Sequence, residues 1–190
     1  MLSLNIQDNY HNLKIQLLVM KYLKEDIKAK TKSFFLNGNR DFFSEKYIDF
    51  IKNFYLKFKK DVRICLHKNN KSKHHDMIIL QQKKNFYKPH KHRIKGETYH
   101  IILGSMICVI FNNNGQIQKA YIIKKNNIFR TPVNKYHTMM PLSKYVIFHE
   151  SRTGPFLKND STFPKWSKKF ENKKEIDILK KRSLKVAKLN

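Results

Sequence analysis

Two histidines and a glutamate with short, fixed spacing lie near the middle of the chain, in the segment PHKHRIKGETYHIILG. His90 and His92 are two residues apart, so on a β-strand both side chains point to the same face. Glu97 follows after four residues, where Gly96 favours a turn that brings the chain back antiparallel. Two imidazoles and a carboxylate on adjacent strands can bind a divalent metal and leave coordination positions open. A further candidate ligand, His137, follows in the segment FRTPVNKYHTMM.

The spacing around these residues resembles the two-part metal motif of the cupin superfamily. Six residues separate Glu97 from Gly104, and four separate Pro132 from His137. The resemblance implies one divalent transition metal (Fe, Mn, Zn or Ni) bound by four ligands: His90, His92, Glu97 and His137. The alternative is a histidine-rich basic loop on the surface of a β-protein, since the chain has nine histidines in all.

Three positions depart from the usual cupin motif. Its customary glycines are replaced by Asn126 and Asn134, and its final asparagine is replaced by Pro141. Asparagine is the non-glycine residue that best tolerates a positive φ, so we expect both turns to form. None of the three positions is a metal ligand.

Short β-like runs separated by turn signals dominate residues 62–150. A strong example is the apolar run Met106–Phe111, which is followed by the hairpin signal Asn112–Gly115. Short strands with turns every 8–12 residues predict a sandwich or barrel. Together with the resemblance to the cupin metal motif, these strands predict a mainly β fold class: a cupin double-stranded β-helix, or jelly-roll barrel.

Helices are predicted on both sides of this β-region. Partial apolar periodicity predicts a helix over about 9–30, and Ser44 as N-cap predicts another over about 45–59. The lysine-rich segment after Trp166 has a weak amphipathic pattern, which predicts a loose basic helix forming a solvated tail, with membrane-surface binding as the alternative. The predicted domains are an N-terminal helical extension (1–43), a metal-binding cupin domain with its leading helix (44–166) and a lysine-rich tail (167–190).

Several blocks within residues 44–166 are similar to the WbuC-type cupin-fold metalloproteins. Genes for that group often lie among those for O-antigen or other surface-polysaccharide synthesis, so the resemblance implies a sugar or sugar nucleotide as substrate. The blocks are the strand at Arg63–His67, Tyr87–His92, Glu97–Gly104, Phe111 with Gly115, Pro132–His137, and His149–Glu150 leading to Gly154–Phe156.

Four other residues are candidates for catalysis or substrate binding beside the metal. Arg63 and His67 share a strand face, which we predict turns toward the barrel mouth; Arg63 would bind a phosphate or carboxylate, and His67 would act as a catalytic acid or base. Tyr99 lies two residues from Glu97, so it should point inward as a catalytic group, or as an ordinary core aromatic. His149 is a candidate substrate-binding residue, or an ordinary strand histidine.

The composition narrows the partners and the location. Forty lysines and arginines against 14 acidic residues give a net charge of +26, which attracts anionic small molecules and polyanions, although an AT-rich coding sequence produces the same bias. No DNA-reading motif is evident, so we expect no specific nucleic-acid partner.

The sequence also indicates where the protein is located. It contains no apolar run of 18 residues and no secretory signal pattern. Its two cysteines form no CxxC motif and indicate a reduced compartment, so we expect a cytoplasmic protein. Cupin resemblance also implies a possible homodimer.

Three functions follow from these observations. The first is a metal-dependent isomerase or epimerase acting on a sugar or sugar nucleotide in surface-polysaccharide biosynthesis. The second is an iron-dependent dioxygenase. The third is a protein without turnover, which binds metal and sugar or serves as a basic scaffold in a biosynthetic complex.

Overall fold

A computed structural model describes residues 18–37, 43–157 and 159–189 of the chain. Residues 18–20 are helical, and the remaining elements follow in the order β1 (Leu23–Glu25), β2 (Lys32–Leu36), α1 (Glu45–Phe58), β3 (Val62–Cys65), β4 (His74–Gln82), β5 (Lys91–His92), β6 (Glu97–Leu103), β7 (Ser105–Phe111), β8 (Ile117–Lys124), β9 (Ile128–Arg130), β10 (Tyr136–Pro141), β11 (Tyr145–Thr153), β12 (Ser161–Thr162), the 3-10 helix η1 (Lys165–Glu171) and α2 (Lys173–Ala187).

The strands form a large sheet and a smaller one. The large sheet has the order β1-β2-β3-β4-β11-β6-β9, and the smaller has the order β10-β7-β8. All neighbours pair antiparallel except β2 and β3, which are parallel. The short pair β12-β5 lies next to β10, because a single bridge joins His90 to His137.

An apolar core fills the space between the large sheet and the smaller one. It is built by inward side chains of β6 and β11 on one side and of β7, β8 and β10 on the other: Tyr99, Ile101, Met106, Cys108, Ile123, Met139, Val146 and Phe148. Two sheets closed around one core make a double-stranded β-helix, so the predicted mainly β class is confirmed.

Helices cover the outer faces of both sheets. Helix α1 packs on the large sheet through Phe50, Ile51 and Tyr55, while η1 and α2 pack on the smaller sheet. This layering explains why β7 is apolar without interruption: Met106 and Cys108 face the inner core, and the alternating residues Ile107, Val109 and Phe111 face the helices.

The two asparagines in place of cupin glycines adopt the backbone predicted for them. The φ angle is 68° at Asn126 and 59° at Asn134. Asn126 lies in the turn between β8 and β9, and Asn134 in the turn before β10. The turns that lead into and out of β9 therefore form without glycine.

The helix predicted over about 9–30 is wrong from Leu23 onward. Residues 23–25 and 32–36 are strands β1 and β2, and β2 pairs in parallel with β3 while Phe34 and Leu36 enter the core under α1. Pairing with a strand about 30 residues away overrides the weak local periodicity. Residues 1–17 and 38–42, the rest of the predicted extension, lie outside the described residues.

The C-terminal segment is helical, as predicted, but it is not a solvated tail. Leu179 and Ser183 of α2 are 5% and 0% exposed, and Leu179 packs with Phe170 of η1 against the smaller sheet. Most cationic side chains of α2 are exposed and its apolar ones face the sheet, which is the ordinary amphipathic arrangement; Lys180 is partly buried and donates to the Pro141 carbonyl at 2.8 Å. None of the helices in the described ranges is long and apolar enough to cross a membrane.

Replacing Gly115 with alanine is expected to destabilise the fold by about 2 kcal/mol or more. Its φ is +81°, where a side chain costs roughly 1–2 kcal/mol, and a Cβ would lie 2.7 Å from the Trp166 ring. That ring is held by an indole N–H that donates to the Asn113 carbonyl at 2.8 Å. Urea denaturation measures the change.

The matched control for this variant is Gly96→Ala. A methyl group there meets its nearest neighbour, the Thr131 carbonyl oxygen, at an ordinary 3.5 Å, and the backbone is not left-handed. Its unfolding free energy should stay within about 0.5 kcal/mol of wild type. Equal stability of the two variants would contradict the packing of Trp166 on this turn.

Candidate metal centre

Three imidazoles and one carboxylate meet at one end of the barrel. The donor atoms of His90, His92, Glu97 and His137 all lie within 4.8 Å of one another, and three of the four side chains are buried. The sequence spacing therefore predicted a real cluster rather than a loose surface loop.

The four ligands come to the cluster from three parts of the barrel. His90 directly precedes the short strand β5 and His92 ends it, Glu97 begins β6 of the large sheet, and His137 lies on β10 of the smaller sheet. The backbones of His90 and His137 exchange hydrogen bonds of 3.1 and 2.9 Å. The Thr131 hydroxyl anchors Glu97 by accepting from its amide at 3.0 Å. The cluster thus joins the two sheets where the barrel opens.

The three histidines are oriented by backbone carbonyls at their Nδ1 atoms. His90 Nδ1 lies 2.9 Å from the Lys88 oxygen, His137 Nδ1 lies 2.9 Å from the Lys135 oxygen, and His92 Nδ1 lies 3.3 Å from the Asp160 oxygen. A carbonyl can only accept, so each Nδ1 carries a proton and each ring turns its Nε2, the nitrogen that can bind a metal, toward the cluster. Burial, followed by the neighbouring His137, lowers the pKa of His90 to about 4, which keeps that ring neutral.

Glu97 lies at the centre of the contacts. Its Oε2 accepts from the Tyr99 hydroxyl at 2.5 Å and lies 3.2 Å from His137 Nε2, while Oε1 accepts from Arg152 at 3.2 Å. Burial favours the neutral acid, but contacts with His137 and His92 outweigh it and hold the pKa of Glu97 well below its usual range. The carboxylate is therefore ionised, as a metal ligand must be.

The donor set fits a transition-metal ion. His92 Nε2 is buried and lies 3.0 Å from Glu97 Oε1, yet it has no properly oriented hydrogen-bond partner among the described residues. Three imidazole nitrogens and one carboxylate suit Fe, Mn, Zn or Ni. The four donor atoms already lie within 4.8 Å of one another, so these side chains would hold such an ion.

The segment after β11 closes one side of the cluster. The Lys95 ammonium, 6% exposed, donates to Asp160 Oδ2 and to the Pro155 carbonyl, both at 2.6 Å. β12 in this segment pairs with β5, and Asp160 supplies the carbonyl that orients His92. A buried ion pair thus fixes the backbone that holds one of the ligands.

A cavity of about 200 Å³ opens directly onto the cluster. Besides the four candidate ligands, its lining includes Arg63, Tyr99, Glu150 and Arg152. The two arginines balance the two carboxylates Glu97 and Glu150, so a divalent ion would leave the cavity net positive. Such a cavity favours an oxygen-rich or anionic ligand.

Two of the four residues predicted to work beside the metal line this cavity. Tyr99 is 5% exposed, and burial together with the charge of Glu97 raises the pKa of its phenol well above the usual value, so it acts as a donor to Glu97. Arg63 lies in β3 with its Nε donating to the Ser33 hydroxyl at 3.0 Å. The predicted inward face of β3 is therefore confirmed at Arg63.

The other two predicted residues do not line the cavity. His67 follows the end of β3, where its ring stacks on His75 at a centroid distance of 4.0 Å, so it lies further along the sheet than Arg63. His149 points to the opposite face of β11 from Phe148, and its Nε2 lies 2.9 Å from Asp76 Oδ1. Strand alternation from the inward Phe148 accounts for the position of His149.

Glu150 and Arg152 are the residues that sequence reasoning missed. They share the inward face of β11 with Phe148, and Arg152 lies 3.8 Å from Glu150. Burial and then the charge of Glu97 raise the pKa of Glu150 to about 7. The signal was present, because two charged residues spaced by two on an otherwise apolar strand face are unusual.

The fold and the site together have the arrangement of a metal-binding cupin. The two-sheet barrel, the ligands on β5, β6 and β10, and the positive φ of both substituted asparagines all match the two-part motif.

Comparisons with known proteins give one partial family match and several similar solved structures. Residues 59–123 match the model of a domain of unknown function, DUF6016. No curated protein sequence matches the chain. The chain is similar to the capsular polysaccharide assembling protein CapF from Staphylococcus aureus, with 13% identity over 75% of this chain and 34% of that one, at a TM-score of 0.49.

A second similar structure is the oxalate decarboxylase of Lactobacillus farciminis, with 15% identity over 48% of this chain and 27% of that one, at a TM-score of 0.41. The chain thus spans about a third or less of the length of these proteins. Because both TM-scores are below 0.5, the assignment of the fold rests on the strand topology and the sequence motif described above.

Proposed function

We propose that this protein is a metal-dependent enzyme that isomerises or epimerises a sugar or sugar nucleotide by proton transfer. The observation that carries the proposal is the cavity itself, because it combines the four-ligand cluster with a carboxylate, Glu150, and a guanidinium, Arg63. A structural metal site is closed by its ligands, whereas this one faces a cavity. The resemblance to WbuC-type proteins supports the sugar class of substrate and a role in surface-polysaccharide biosynthesis.

Each group in the cavity has a distinct task in this proposal. A divalent ion held by His90, His92, Glu97 and His137 would supply Lewis acidity toward a carbonyl or hydroxyl oxygen. Arg63, whose Nη groups make no hydrogen bond to any described residue, binds an anionic or hydroxyl group of the substrate. Glu150 removes the proton from the carbon next to the carbonyl and returns it.

Two residues position these groups rather than reacting themselves. The Tyr99 hydroxyl and the Arg152 guanidinium both donate to Glu97 and so fix its carboxylate. Arg152 also lies beside Glu150 and over the Phe156 ring, at 5.7 Å from its centroid. This arrangement couples the ligand carboxylate to the proton-transferring one through a single guanidinium.

Glu150→Gln is expected to lower turnover by about 10²–10⁴-fold, the usual contribution of a general acid or base, with metal content unchanged. The assay incubates metal-loaded protein with a panel of sugars and nucleoside-diphosphate sugars in D₂O and follows isomerisation and deuterium incorporation by NMR. The matched control is Glu45→Gln, an exposed glutamate at the start of α1. Wild-type turnover in Glu150→Gln would remove this residue from the mechanism.

The same assay, run with and without oxygen, distinguishes the proposed isomerase or epimerase from an iron-dependent dioxygenase. Proton transfer requires no oxygen, so the proposed activity persists under anaerobic conditions. Turnover that stops without oxygen and consumes it when supplied would instead identify an iron-dependent oxygenase.

A further inference from the structure

A groove lined by lysines adjoins the metal cavity. Its volume is about 720 Å³, and six lysines line it: Lys30, Lys32, Lys59, Lys60, Lys84 and Lys88. Among the described residues that line the groove, Asp61 is the only carboxylate, and its Oδ1 accepts from both the backbone and the side-chain nitrogen of Gln82 at 2.9 and 3.0 Å. The groove is therefore strongly positive.

Three of the six ammonium groups have no compensating partner within the described part of the chain. Lys32 pairs with Glu25 and Lys88 with Glu171, while Lys59 lies over the Tyr55 ring at 5.3 Å. The remaining three are exposed and make no ion pair with any described residue: Lys30, Lys60 and Lys84. Several cations around one concave surface attract a compact multivalent anion more strongly than scattered ones do.

The groove and the metal cavity share a wall. Thr31 and Tyr87 line both. The Tyr87 carbonyl accepts from the Thr138 hydroxyl at 2.6 Å, so this wall is anchored to β10 beside His137. Tyr87 is 46% exposed, so this wall lies at the surface of the protein.

The two volumes differ in a way that suits one ligand with two unlike parts. The metal cavity, at about 200 Å³, lies below the range of roughly 300–1,000 Å³ typical of pockets that enclose a drug-sized ligand. It therefore accommodates a small polar group, and any larger part of a ligand lies outside. The adjoining basic groove is the nearest surface for that part.

We infer that the lysine-lined groove binds the phosphate groups of a diphosphate-bearing small molecule whose other end reaches the metal cavity past Thr31 and Tyr87. The identity of that other end rests on the proposed function. The phosphate oxygens accept charge-assisted hydrogen bonds from the uncompensated lysines. This role also gives part of the +26 net charge a specific location.

Isothermal titration with inorganic pyrophosphate tests the inference. The double variant Lys60→Gln and Lys84→Gln is expected to bind about tenfold more weakly than wild type, or worse, since it loses two charge-assisted contacts. The control double variant, Lys125→Gln and Lys181→Gln, makes the same change in net charge at exposed positions outside the groove. It should keep wild-type affinity, and thermal melts confirm that both double variants are folded.

The outcomes separate the groove from the metal site. His92→Ala protein should still bind pyrophosphate within about twofold of wild type if the phosphates occupy the groove. Loss of binding in His92→Ala would locate the phosphates at the metal and overturn the inference. Equal weakening in both double variants, or no binding by wild type, would overturn it as well. Normal pyrophosphate binding by a protein that takes up no metal would leave the groove standing and defeat the proposed function.

Discussion

His92→Ala is expected to lower the affinity for a divalent transition metal by more than about 100-fold. Changes in the residues that merely orient metal ligands cost roughly 10–100-fold, and His92 supplies a donor atom itself. Its Nε2 is buried without a properly oriented hydrogen-bond partner among the described residues, and a bound ion would be that partner. The variant therefore removes a donor atom that the ion needs. Wild type at 100 times its dissociation constant should gain about 2.7 kcal/mol from the metal, and the variant should gain almost nothing.

Isothermal titration with Zn²⁺ and Mn²⁺, and thermal melts with and without each ion, measure this difference. The matched control is His100→Ala, a histidine of the same strand as Glu97 that does not line the cavity. His100→Ala should bind metal as wild type does. Equal losses in the two variants, or metal stabilisation that survives in His92→Ala, would argue against the four-ligand site.

Leu179→Ala is expected to destabilise the protein by about 2–4 kcal/mol, the usual cost of truncating a buried leucine. Leu179 is 5% exposed and packs with Phe170 against the smaller sheet. For a chain of this size the loss corresponds to a decrease of roughly 4–16 °C in Tm. Differential scanning calorimetry measures it, and the effect is large because α2 covers an apolar sheet face that would otherwise meet water.

Leu189→Ala is the matched control, since Leu189 is 86% exposed at the end of the same segment. Its Tm should stay within about 2 °C of wild type. If Leu179→Ala were as stable as Leu189→Ala, α2 would be the solvated tail that the sequence alone suggested, and its packing on the smaller sheet would be wrong.

The metal cluster was predictable because its signal is local. His90, His92 and Glu97 lie within eight residues, and turn and strand geometry bring them together without knowledge of the rest of the chain. The same holds for Asn126 and Asn134, where the residue type reports directly on the backbone angle. The hairpin of β7 and β8 was clear for the same reason.

Features that depend on distant pairing were harder to predict. β2 is a strand because it pairs with β3, which is about 30 residues away, and nothing in its own periodicity announces this. The face to which α2 docks is likewise supplied by β7 and β8. Helical amphipathicity predicted the helix but not the surface that it covers.

The misplaced site residues have a similar origin. The sequence prediction extended the inward–outward alternation of strand side chains to His67, although β3 ends at Cys65. On β11, histidine drew attention as a functional residue type, whereas the inward position of Phe148 assigns the cavity to Glu150 and Arg152. Once Phe148 is known to point inward, the two-residue alternation of β11 places Glu150 and Arg152 on the same inward face.

The most direct test of the metal site is the metal content of the wild-type protein purified without chelator, measured by plasma mass spectrometry. The arrangement of His90, His92, Glu97 and His137 predicts about one equivalent of a divalent transition metal per chain. The absence of stoichiometric metal, even after reconstitution with Fe, Mn, Zn and Ni, would contradict the site and the catalytic proposal built on it.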